Sequence, residues 1–354
     1  MLRTLAALSL VTLLGCAARG LPITGGDDLG GDGGGSGVPG GADLAGAPEA
    51  RDMALPPDAA PMAPDLATQG PPLGGTWSVL VGSGPWTQLI NTAAVDSHER
   101  LFVTDGSNIY VVENGGVSTY LSADELAAVS AGAVGNIRSI DVGPDDTLYF
   151  LSGTTIFASS AAEKVAIYHQ LTGASVIHWL GVVDSARMVV FDYYLAGAEV
   201  VTPGGEALLY DGAAIEGATD CQGESVAAGR DGVFFYLPGC NGSPLMAGKI
   251  DGSGAGVLLS SDLPGARADN FESVTRTPAG EFVASVENNA GFWNNTLLRI
   301  DELGAWSEII TNPPMETFVN MIGDIFEFHA RPVAVGPSGA IYLVGRHSIY
   351  RAGP

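Results

Sequence analysis

Lysine is nearly absent from this chain of 354 residues, which contains only Lys164 and Lys249. Acidic residues outnumber lysine and arginine by 39 to 15, for a formal net charge of −24. Residues 76–354 alone carry 31 acidic and 12 basic residues, a net charge of −19. A surface with this charge repels nucleic acid and anionic lipid. The composition therefore excludes nucleic acid as a partner and excludes direct binding to an anionic membrane surface.

The common catalytic motifs are also missing. His98-Glu99 lacks a second histidine at the spacing of a zinc protease, and no Gly-x-Ser-x-Gly nucleophile elbow occurs. The glycine-rich segment near the N-terminus precedes no strand–helix unit, so it does not form a phosphate-binding loop. The five histidines are scattered along the chain. No familiar signature therefore predicts an enzyme.

The N-terminus has the organisation of an export signal. Arg3 precedes an apolar run over Leu5–Leu14, which is too short to span a bilayer. The run ends in Leu13-Leu14-Gly15-Cys16, which resembles the lipobox of bacterial lipoproteins. The resemblance implies a signal peptide over residues 1–15 and a lipid on Cys16. Ala17 rather than aspartate follows, which implies an outer-membrane anchor in the bacterial cell envelope, facing the periplasm or the exterior. The alternative is an ordinary signal peptide with an incidental cysteine.

The segment from Cys16 to residue 75 has the composition of a disordered tether. Residues 17–75 include 15 glycines and nine prolines and no aromatic residue. Such a sequence cannot bury enough apolar surface to offset the entropy lost on ordering. As a flexible coil it would reach about 40 Å root-mean-square. We expect it to hold a folded domain away from the membrane.

From residue 76 onward, one unit of strand, tight polar turn and second strand recurs six times. Its second strands align at Phe102, Tyr149, Val190, Phe235, Phe282 and Tyr342. The spacings between these positions are 47, 41, 45, 47 and 60 residues, the length of a four-stranded propeller blade. A fourth strand follows five of the units but not the last, and Thr76–Val81 is an unpartnered strand of matching length. The pattern predicts an all-β, six-bladed β-propeller over 76–354, closed by residues 76–81 in the last blade. The rival all-β prediction is a sandwich.

The repeats also carry a family resemblance. The stretches AAVDSHERLFVTDGSNIYVV and VAVGPSGAIYLVGRHSIYR resemble blades of the NHL and gluconolactonase-like propellers, a TolB-like superfamily. The resemblance implies the fold, but that fold hosts sensors, scaffolds, lyases and hydrolases. Lactonases of this kind hold a divalent ion on Glu, Asn and Asp at the top of the channel. Here Asn91 precedes the first inner strand without the expected glutamate, so those roles are not carried over.

Alignment of the six units predicts a ring of polar residues just before the inner strands, at the mouth of a central channel. Its members are Asn91, Arg138, Trp179 with its neighbour His178, Glu224, Glu272 and Arg331. One interpretation is a pocket for a small ligand, or part of a Ca²⁺ site that includes Glu224 and Glu272. The other is an internal network in which Glu272 pairs with Arg331.

Two long loops are further candidates for binding. Phe292 and Trp293 lie among four asparagines, and such aromatic–amide clusters recognise sugars or peptides. Alternatively, Trp293 covers the core of its own blade. The second loop, residues 311–330, leads into the last blade and is predicted to contain a short helix around residues 318–326.

Cys221 and Cys240 flank the two inner strands of the fourth unit. If the hairpin turns through residues 229–232, paired positions sum to 461, and the two cysteines face each other. Directly opposed residues lie within reach of a disulfide, which an exported protein can form. The alternative is a pair of buried free thiols.

These features favour a lipid-anchored, non-catalytic binding or scaffold module. We expect a monomer with no cofactor apart from a possible Ca²⁺. The molecule that this protein binds is expected to be a protein, a peptide or a carbohydrate. The membrane is contacted only through the N-terminal lipid. The alternatives are a metal-dependent, lactonase-like hydrolase or lyase with its site at the channel mouth, and a structural module of an envelope complex.

Overall fold

The computed structural model describes residues 72–86, 92–130, 136–172, 178–192, 198–210, 225–229, 231–237, 245–251, 257–259, 271–288, 294–301, 306–314, 317–318, 333–345 and 347–353. The chain divides into two units, Met1–Ala63 and Pro64–Pro354, and every described residue belongs to the second. The predicted signal peptide, the lipidation of Cys16 and nearly all of the tether therefore lie outside the described residues. Among the residues described, no helix is both long and apolar enough to cross a bilayer.

The strands described form six four-stranded antiparallel sheets, which we call blades 1 to 6. The chain begins with β1 (Thr76–Val81), which belongs to blade 6. Blade 1 contains β2 (Thr92–Val95), β3 (Leu101–Thr104), β4 (Ile109–Glu113) and β5 (Gly116–Leu121). The helix α1 (Ala123–Ser130) follows. Blade 2 contains β6 (Ile137–Val142), β7 (Leu148–Ser152), β8 (Thr155–Ser159) and β9 (Ala166–Gln170).

The remaining blades repeat this order. Blade 3 contains β10 (His178–Val182), β11 (Met188–Asp192), β12 (Ala198–Thr202) and β13 (Gly205–Tyr210). Blade 4 contains β14 (Ser225–Ala228), β15 (Val233–Leu237), β16 (Leu245–Lys249) and β17 (Val257–Leu259). Blade 5 contains β18 (Phe271–Arg276), β19 (Phe282–Asn288), β20 (Asn294–Ile300) and β21 (Trp306–Glu308). Blade 6 contains β22 (Val333–Val335), β23 (Ile341–Val344) and β24 (Ile349–Gly353).

The predicted closure of the ring is confirmed. β1 pairs antiparallel with β24, with Thr76 opposite Gly353, so the first strand completes the last blade. The other edge of β1 is covered where Trp77 donates its amide to the Asn312 carbonyl oxygen at 3.2 Å. A strand edge left bare would expose unpaired backbone groups. The six-bladed propeller predicted from the repeats is therefore the fold.

Alternation along each strand explains how the blades pack together. Phe102 packs against blade 2, while its neighbours Leu101 and Val103 pack against blade 6. Both faces of each sheet are thus apolar, and the buried residues form six clusters, one at each seam between neighbouring blades. Full burial of one such side chain stabilises the fold by about 1.5–3 kcal/mol. The core is therefore a closed ring of seams around the channel.

The hairpin between the first two strands of each blade has a common backbone bond. An amide donates to the carbonyl oxygen four residues later, in the pairs Asp96–Arg100, Gly143–Thr147, Val183–Arg187, Gly229–Val233, Thr277–Glu281 and Gly336–Ala340. We call these the inner turns, and the face that carries them the turn face. β1 begins at this face, because Gly74 donates its amide to the carbonyl of Gly339 in the inner turn of blade 6.

The inner turn of blade 4 corrects the proposed pairing of its strands. Val226 pairs with Tyr236 and Ala228 with Phe234, so paired positions sum to 462 rather than 461. The reason is the turn, which spans five residues with Gly232 at a φ of 85°. This register no longer places Cys221 directly opposite Cys240. Both cysteines lie outside the described residues, and their disulfide stays a prediction.

Two features beyond the strands pack onto the ring. Ser122 and Glu125 form a capping box at the start of α1, in which each side chain accepts the other residue's amide hydrogen. Phe318, from the second long loop, stacks on Trp77 with ring centroids 5.1 Å apart. Residues 319–332, which contain most of the predicted short helix, lie outside the description.

Candidate functional site: the central channel

The inner strands β2, β6, β10, β14, β18 and β22 surround a cavity of about 210 Å³. At one end it is lined by residues that each stand four positions before an inner turn: Thr92, Ser139, Trp179, Ser225 and Ser273. At the other end it reaches the turn face, where the second residues of four inner turns line it: Ser97, Pro144, Pro278 and Pro337. The channel is therefore polar at one end and has a rim containing three prolines at the other.

Two of the hydroxyl groups in this channel, those of Ser139 and Ser225, bridge neighbouring blades. Ser139 Oγ accepts the amide hydrogen of Leu180 at 3.2 Å, across the seam between blades 2 and 3. Ser225 Oγ donates to the Val274 carbonyl at 3.2 Å and accepts its amide hydrogen at 3.3 Å, across the seam between blades 4 and 5. An inner strand has no sheet neighbour on its channel side, so side chains must satisfy these backbone groups. The hydroxyls thus fix the inner strands relative to one another.

Asp141, from β6, performs the same role with a charge. Its carboxylate accepts the amide hydrogens of Val182 at 2.7 Å and Val142 at 2.8 Å. The residue is surrounded by protein, although the cavity leaves part of its surface accessible. Burial raises the pKa of Asp141, while the charge of Arg276 and the two amides oppose that rise. A positive group beside Asp141 therefore favours its charged form.

Arg276, from β18, comes from the opposite side of the ring. Its Nη1 donates to the carbonyl oxygen of Ala228 at 2.9 Å and to that of Val182 at 3.2 Å. Val182 therefore donates to Asp141 and accepts from Arg276. Both charged side chains line the cavity and meet at the channel edge of one strand. Neither residue was predicted from the sequence, because the repeat alignment pointed to positions at the start of the inner strands, whereas these two lie near the ends of β6 and β18.

The residues predicted for the channel mouth are described only in part. Trp179 lines the cavity, whereas Arg138 is half-buried in β6 and is not among the lining residues. Counting back from the inner turns aligns His178, rather than Trp179, with Arg138, which corrects the alignment by one position. The side chains of His178 and Glu272 are not described, although both residues belong to strands. The other candidates lie outside the description: Asn91, Glu224, Arg331, Phe292 and Trp293. Their binding roles stay predictions.

A cluster that could hold a cation lies at the turn face, opposite the end at which the Ca²⁺ site was predicted. Potential ligand atoms of Asp96, His98 and Asp146 all lie within 4.8 Å of one another. Asp96 is 2% exposed and accepts hydrogen bonds from two amides and from Arg100 Nε, the latter at 2.6 Å. Arg100 thus already supplies a positive charge to Asp96.

Asp146 links blades 1 and 2 within this cluster. Its carboxylate accepts the Ser97 amide hydrogen at 2.9 Å and the Ser97 hydroxyl hydrogen at 2.6 Å, and His98 Nδ1 lies 3.2 Å away. Burial alone would raise the pKa of Asp146, but the bonds from Ser97 and the charges of His98 and Arg100 outweigh it and lower the pKa. The cluster therefore joins two blades whether or not a cation binds there.

Glu99 forms the corresponding link between blades 1 and 6. It accepts the Ser338 amide hydrogen at 2.5 Å and the Tyr342 hydroxyl hydrogen at 2.7 Å. Burial, and then the bond to Glu99, raise the pKa of Tyr342 to about 12. The tyrosine therefore remains a neutral donor at physiological pH. Glu99 lies in the inner turn of blade 1, and nothing near it in the sequence indicates these distant partners.

Comparison with known proteins identifies the fold but not a family. No family model matches the chain, and no curated protein matches it. A gluconolactonase from Xanthomonas campestris matches with 13% sequence identity and a TM-score of 0.54. The match covers 78% of this chain and 89% of the gluconolactonase chain. A putative gluconolactonase matches with 9% identity, 82% and 95% coverage and a TM-score of 0.53. A virginiamycin B lyase from Staphylococcus aureus matches with 9% identity, 79% and 98% coverage and a TM-score of 0.50.

These identities are too low to carry a function across. What the matches share with this chain is the six-bladed β-propeller, as the repeats had predicted. Because one such fold serves unrelated activities, the function must be argued from the channel itself.

Proposed function

We propose that this protein is a non-catalytic binding module of the bacterial cell envelope, which holds a small ligand in its central channel. One observation carries the proposal. The polar side chains of the described channel walls, chiefly Ser139, Asp141, Ser225 and Arg276, bridge the inner strands of neighbouring blades. Such cross-links keep a cavity preformed, which lowers the cost of binding a ligand.

The same bonds argue against acid–base chemistry at these groups. A general base must be able to take a proton from its substrate, and its pKa must suit that task. Asp141 instead accepts two backbone amide hydrogens, and loss of that carboxylate would leave the amide of Val182 without this acceptor. We assign it a structural and binding role.

The second candidate is a metal-dependent hydrolase or lyase of the lactonase-like kind. The observation in its favour is the Asp96, His98 and Asp146 cluster, together with the fold shared with gluconolactonases. A lactonase assay of the purified full chain, with Ca²⁺, Mn²⁺, Zn²⁺ or EDTA, separates the two. We expect hydrolysis of gluconolactone no faster than the uncatalysed rate. Metal-dependent turnover that is lost in Asp96→Asn would overturn the binding proposal.

Binding itself is tested by isothermal titration calorimetry against monosaccharides, short peptides and amino acids. We expect at least one class to bind saturably, and Thr275→Phe to abolish that binding by filling the cavity that Thr275 lines. Absence of saturable binding by every class would count against a channel ligand.

The anchor is a separate part of the proposal. The support for it is the sequence ending Leu13-Leu14-Gly15-Cys16. Fractionation of cells that express Cys16→Ser should find the protein released from membranes, while the parent chain sediments with them. Unchanged membrane association of the variant would refute lipid attachment at this residue.

A further inference from the structure

One hydroxyl group of the channel has hydrogen-bonding capacity that the fold does not use. Thr92 is 6% exposed and lines the cavity, and among the described residues its hydroxyl has no hydrogen-bond partner. Its oxygen is also not one of the fully buried atoms that lack a partner, so the cavity reaches it. A hydroxyl offers one donor and two acceptor lone pairs. Thr92 therefore presents both capacities to whatever occupies the channel.

Two further hydroxyls at the same end of the channel are only partly used. Ser139 Oγ accepts the Leu180 amide hydrogen, but no described residue accepts the hydrogen of Ser139 itself. Ser273 Oγ and Ser285 Oγ lie 2.9 Å apart, and when Ser285 donates in this bond the hydrogen of Ser273 remains available. Buried donors are costly when they lack an acceptor. A channel occupant that accepts from these hydroxyls is therefore stabilised.

The charged groups of the channel are, by contrast, already matched. Asp141 accepts the amide hydrogens of Val182 and Val142. Burial raises the pKa of Asp141, and the positive charge of Arg276 opposes this rise. Arg276 itself donates to the carbonyl oxygens of Ala228 and Val182. A charged ligand would lose its hydration without finding an unmatched opposite charge, so the channel favours neutral molecules.

The size and the walls of the cavity restrict the neutral molecule further. The cavity volume of about 210 Å³ is below the range of about 300–1,000 Å³ that is usual for drug-sized ligands, and it equals about seven water molecules at ~30 Å³ each. A peptide or an oligosaccharide would not fit within the described walls. The remaining wall includes the buried apolar residues Ala94, Val226 and Val335, which can contact carbon-bound hydrogens. A short carbon chain with several hydroxyl groups matches both kinds of surface.

We propose that the channel binds a small uncharged polyol of three or four carbons, whose hydroxyl groups exchange hydrogen bonds with Thr92, Ser139 and Ser273. The proposal rests on the channel-binding function above and names its ligand class. Each ligand hydroxyl can accept from one wall hydroxyl and donate to another, which is what the unused capacity of the wall requires. An apolar molecule of the same size would leave the wall hydroxyls unpaired, and this weakens its binding.

Equilibrium dialysis of the purified full chain with radiolabelled erythritol tests the ligand class. We expect saturable binding of one molecule per chain, with competition by glycerol. Two four-carbon competitors isolate the selected features, because erythronate adds a carboxylate and 1-butanol keeps only one hydroxyl. Both should compete about tenfold more weakly than erythritol. Equal competition by erythronate would overturn the selection for a neutral ligand, and equal competition by 1-butanol would overturn recognition through hydroxyl groups.

Thr92→Val is the most direct variant, because it removes the unused hydroxyl and breaks no hydrogen bond within the described part of the chain. We expect erythritol binding to weaken about threefold to tenfold, the effect of one hydrogen bond, with thermal stability like that of the parent chain. Thr92→Ser keeps a hydroxyl and should restore most of the binding.

Thr119→Val is the matched control, since Thr119 is exposed on β5, the outer strand of the same blade. It makes the same chemical change away from the cavity, and the variant should bind erythritol like the parent chain. Thermal unfolding of each variant verifies that it is folded. Unchanged erythritol binding in folded Thr92→Val would contradict the proposal, and so would an equal loss of binding in Thr119→Val.

The two levels of the proposal fail differently. If erythritol does not bind but a monosaccharide, a peptide or an amino acid does, and Thr275→Phe abolishes that binding, the polyol inference is wrong and the channel function stands. If erythritol binds equally well to Thr275→Phe, it occupies another site and the polyol inference is again wrong. If none of these molecules binds, both are wrong.

Discussion

The inner turns of blades 1 and 2 differ from those of blades 4, 5 and 6 at one position. The fourth turn residue has a positive φ in all five, but it is Glu99 or Asp146 in the first two turns. In the other three it is glycine, at residues 232, 280 and 339. Residues with a Cβ adopt this conformation at a cost that glycine avoids.

The difference is explained by what the two acidic side chains contact. Glu99 bonds to blade 6 through Ser338 and Tyr342, and Asp146 bonds to blade 1 through Ser97. By contrast, a Cβ added at Gly280 would have no neighbouring atom within 4 Å. The repeat therefore specifies the backbone of the turn, while links between blades decide whether a strained side chain is retained.

Glu99 should give the largest effect. Glu99→Ala removes two hydrogen bonds to a charged acceptor but keeps the strained φ, for an expected loss of about 2–4 kcal/mol. Glu99→Gly removes the same bonds and relieves the strain, so its loss should be smaller by about 1 kcal/mol. Urea unfolding of both variants measures the two values. If Glu99→Gly loses as much stability as Glu99→Ala, the positive φ at residue 99 does not measurably destabilise the fold.

Asp146 should give the next effect. Asp146→Ala loses the bonds from the Ser97 amide and hydroxyl, at an expected cost of about 2 kcal/mol because both bonds are exposed to solvent. The same urea experiment applies, with Asp145→Ala, at the preceding turn position, as the matched control. If both substitutions cost the same, the link between blades 1 and 2 contributes nothing specific.

The glycine turns supply the reciprocal test. Gly280→Ala introduces strain without a clash and without any new bond, so we expect a loss of about 1 kcal/mol. Gly232→Ala should lose more, because its Cβ would lie 2.7 Å from a side-chain carbon of Ile250. Thermal unfolding ranks the pair, and the opposite order would contradict the geometry of these turns.

The smallest expected effect is the pH dependence of the stability that Asp146 contributes. The pKa of Asp146 is lower in the folded chain than the ordinary value of about 3.9, so its contribution is complete above that value. The contribution is lost as the pH falls through the lower folded pKa. Asp146→Asn should therefore lose less stability than the parent between about pH 4 and pH 2. Parallel stability–pH curves for the two proteins would rule out this linkage.

The fold was predictable because the same unit of two strands joined by a turn recurs six times in the sequence. Strand alternation and the unpaired strand at 76–81 led directly to the closed ring. The errors in strand pairing and in alignment came from the turns, because one additional turn residue shifts the register of the strand that follows. In blade 4 the inner turn has five residues, so paired positions sum to 462 rather than to the predicted 461. The shorter spacing into blade 3 led the alignment to select Trp179 where His178 is the equivalent residue. The helix α1 was missed although Ser122 and Glu125 have capping-box spacing.

The site was less predictable because its groups are distant in sequence. Asp141 and Arg276 lie near the ends of strands that contain other polar residues as well, and nothing local indicates that both bond to Val182. The sequence-based prediction selected the charged and aromatic residues that precede the inner strands instead. A six-unit alignment made strand by strand, with the turn length fixed first, would have placed Asp141 in the channel.

The central claim is that channel side chains hold the inner edges of the blades and keep the cavity preformed. Native-state hydrogen exchange of the Leu180, Val182 and Val274 amides, which bond to Ser139, Asp141 and Ser225, tests it most directly. The account predicts protection close to that of amides within the blade ladders, and a selective loss at Val274 in Ser225→Ala. Exchange of these three amides at the rate of unprotected ones would contradict it.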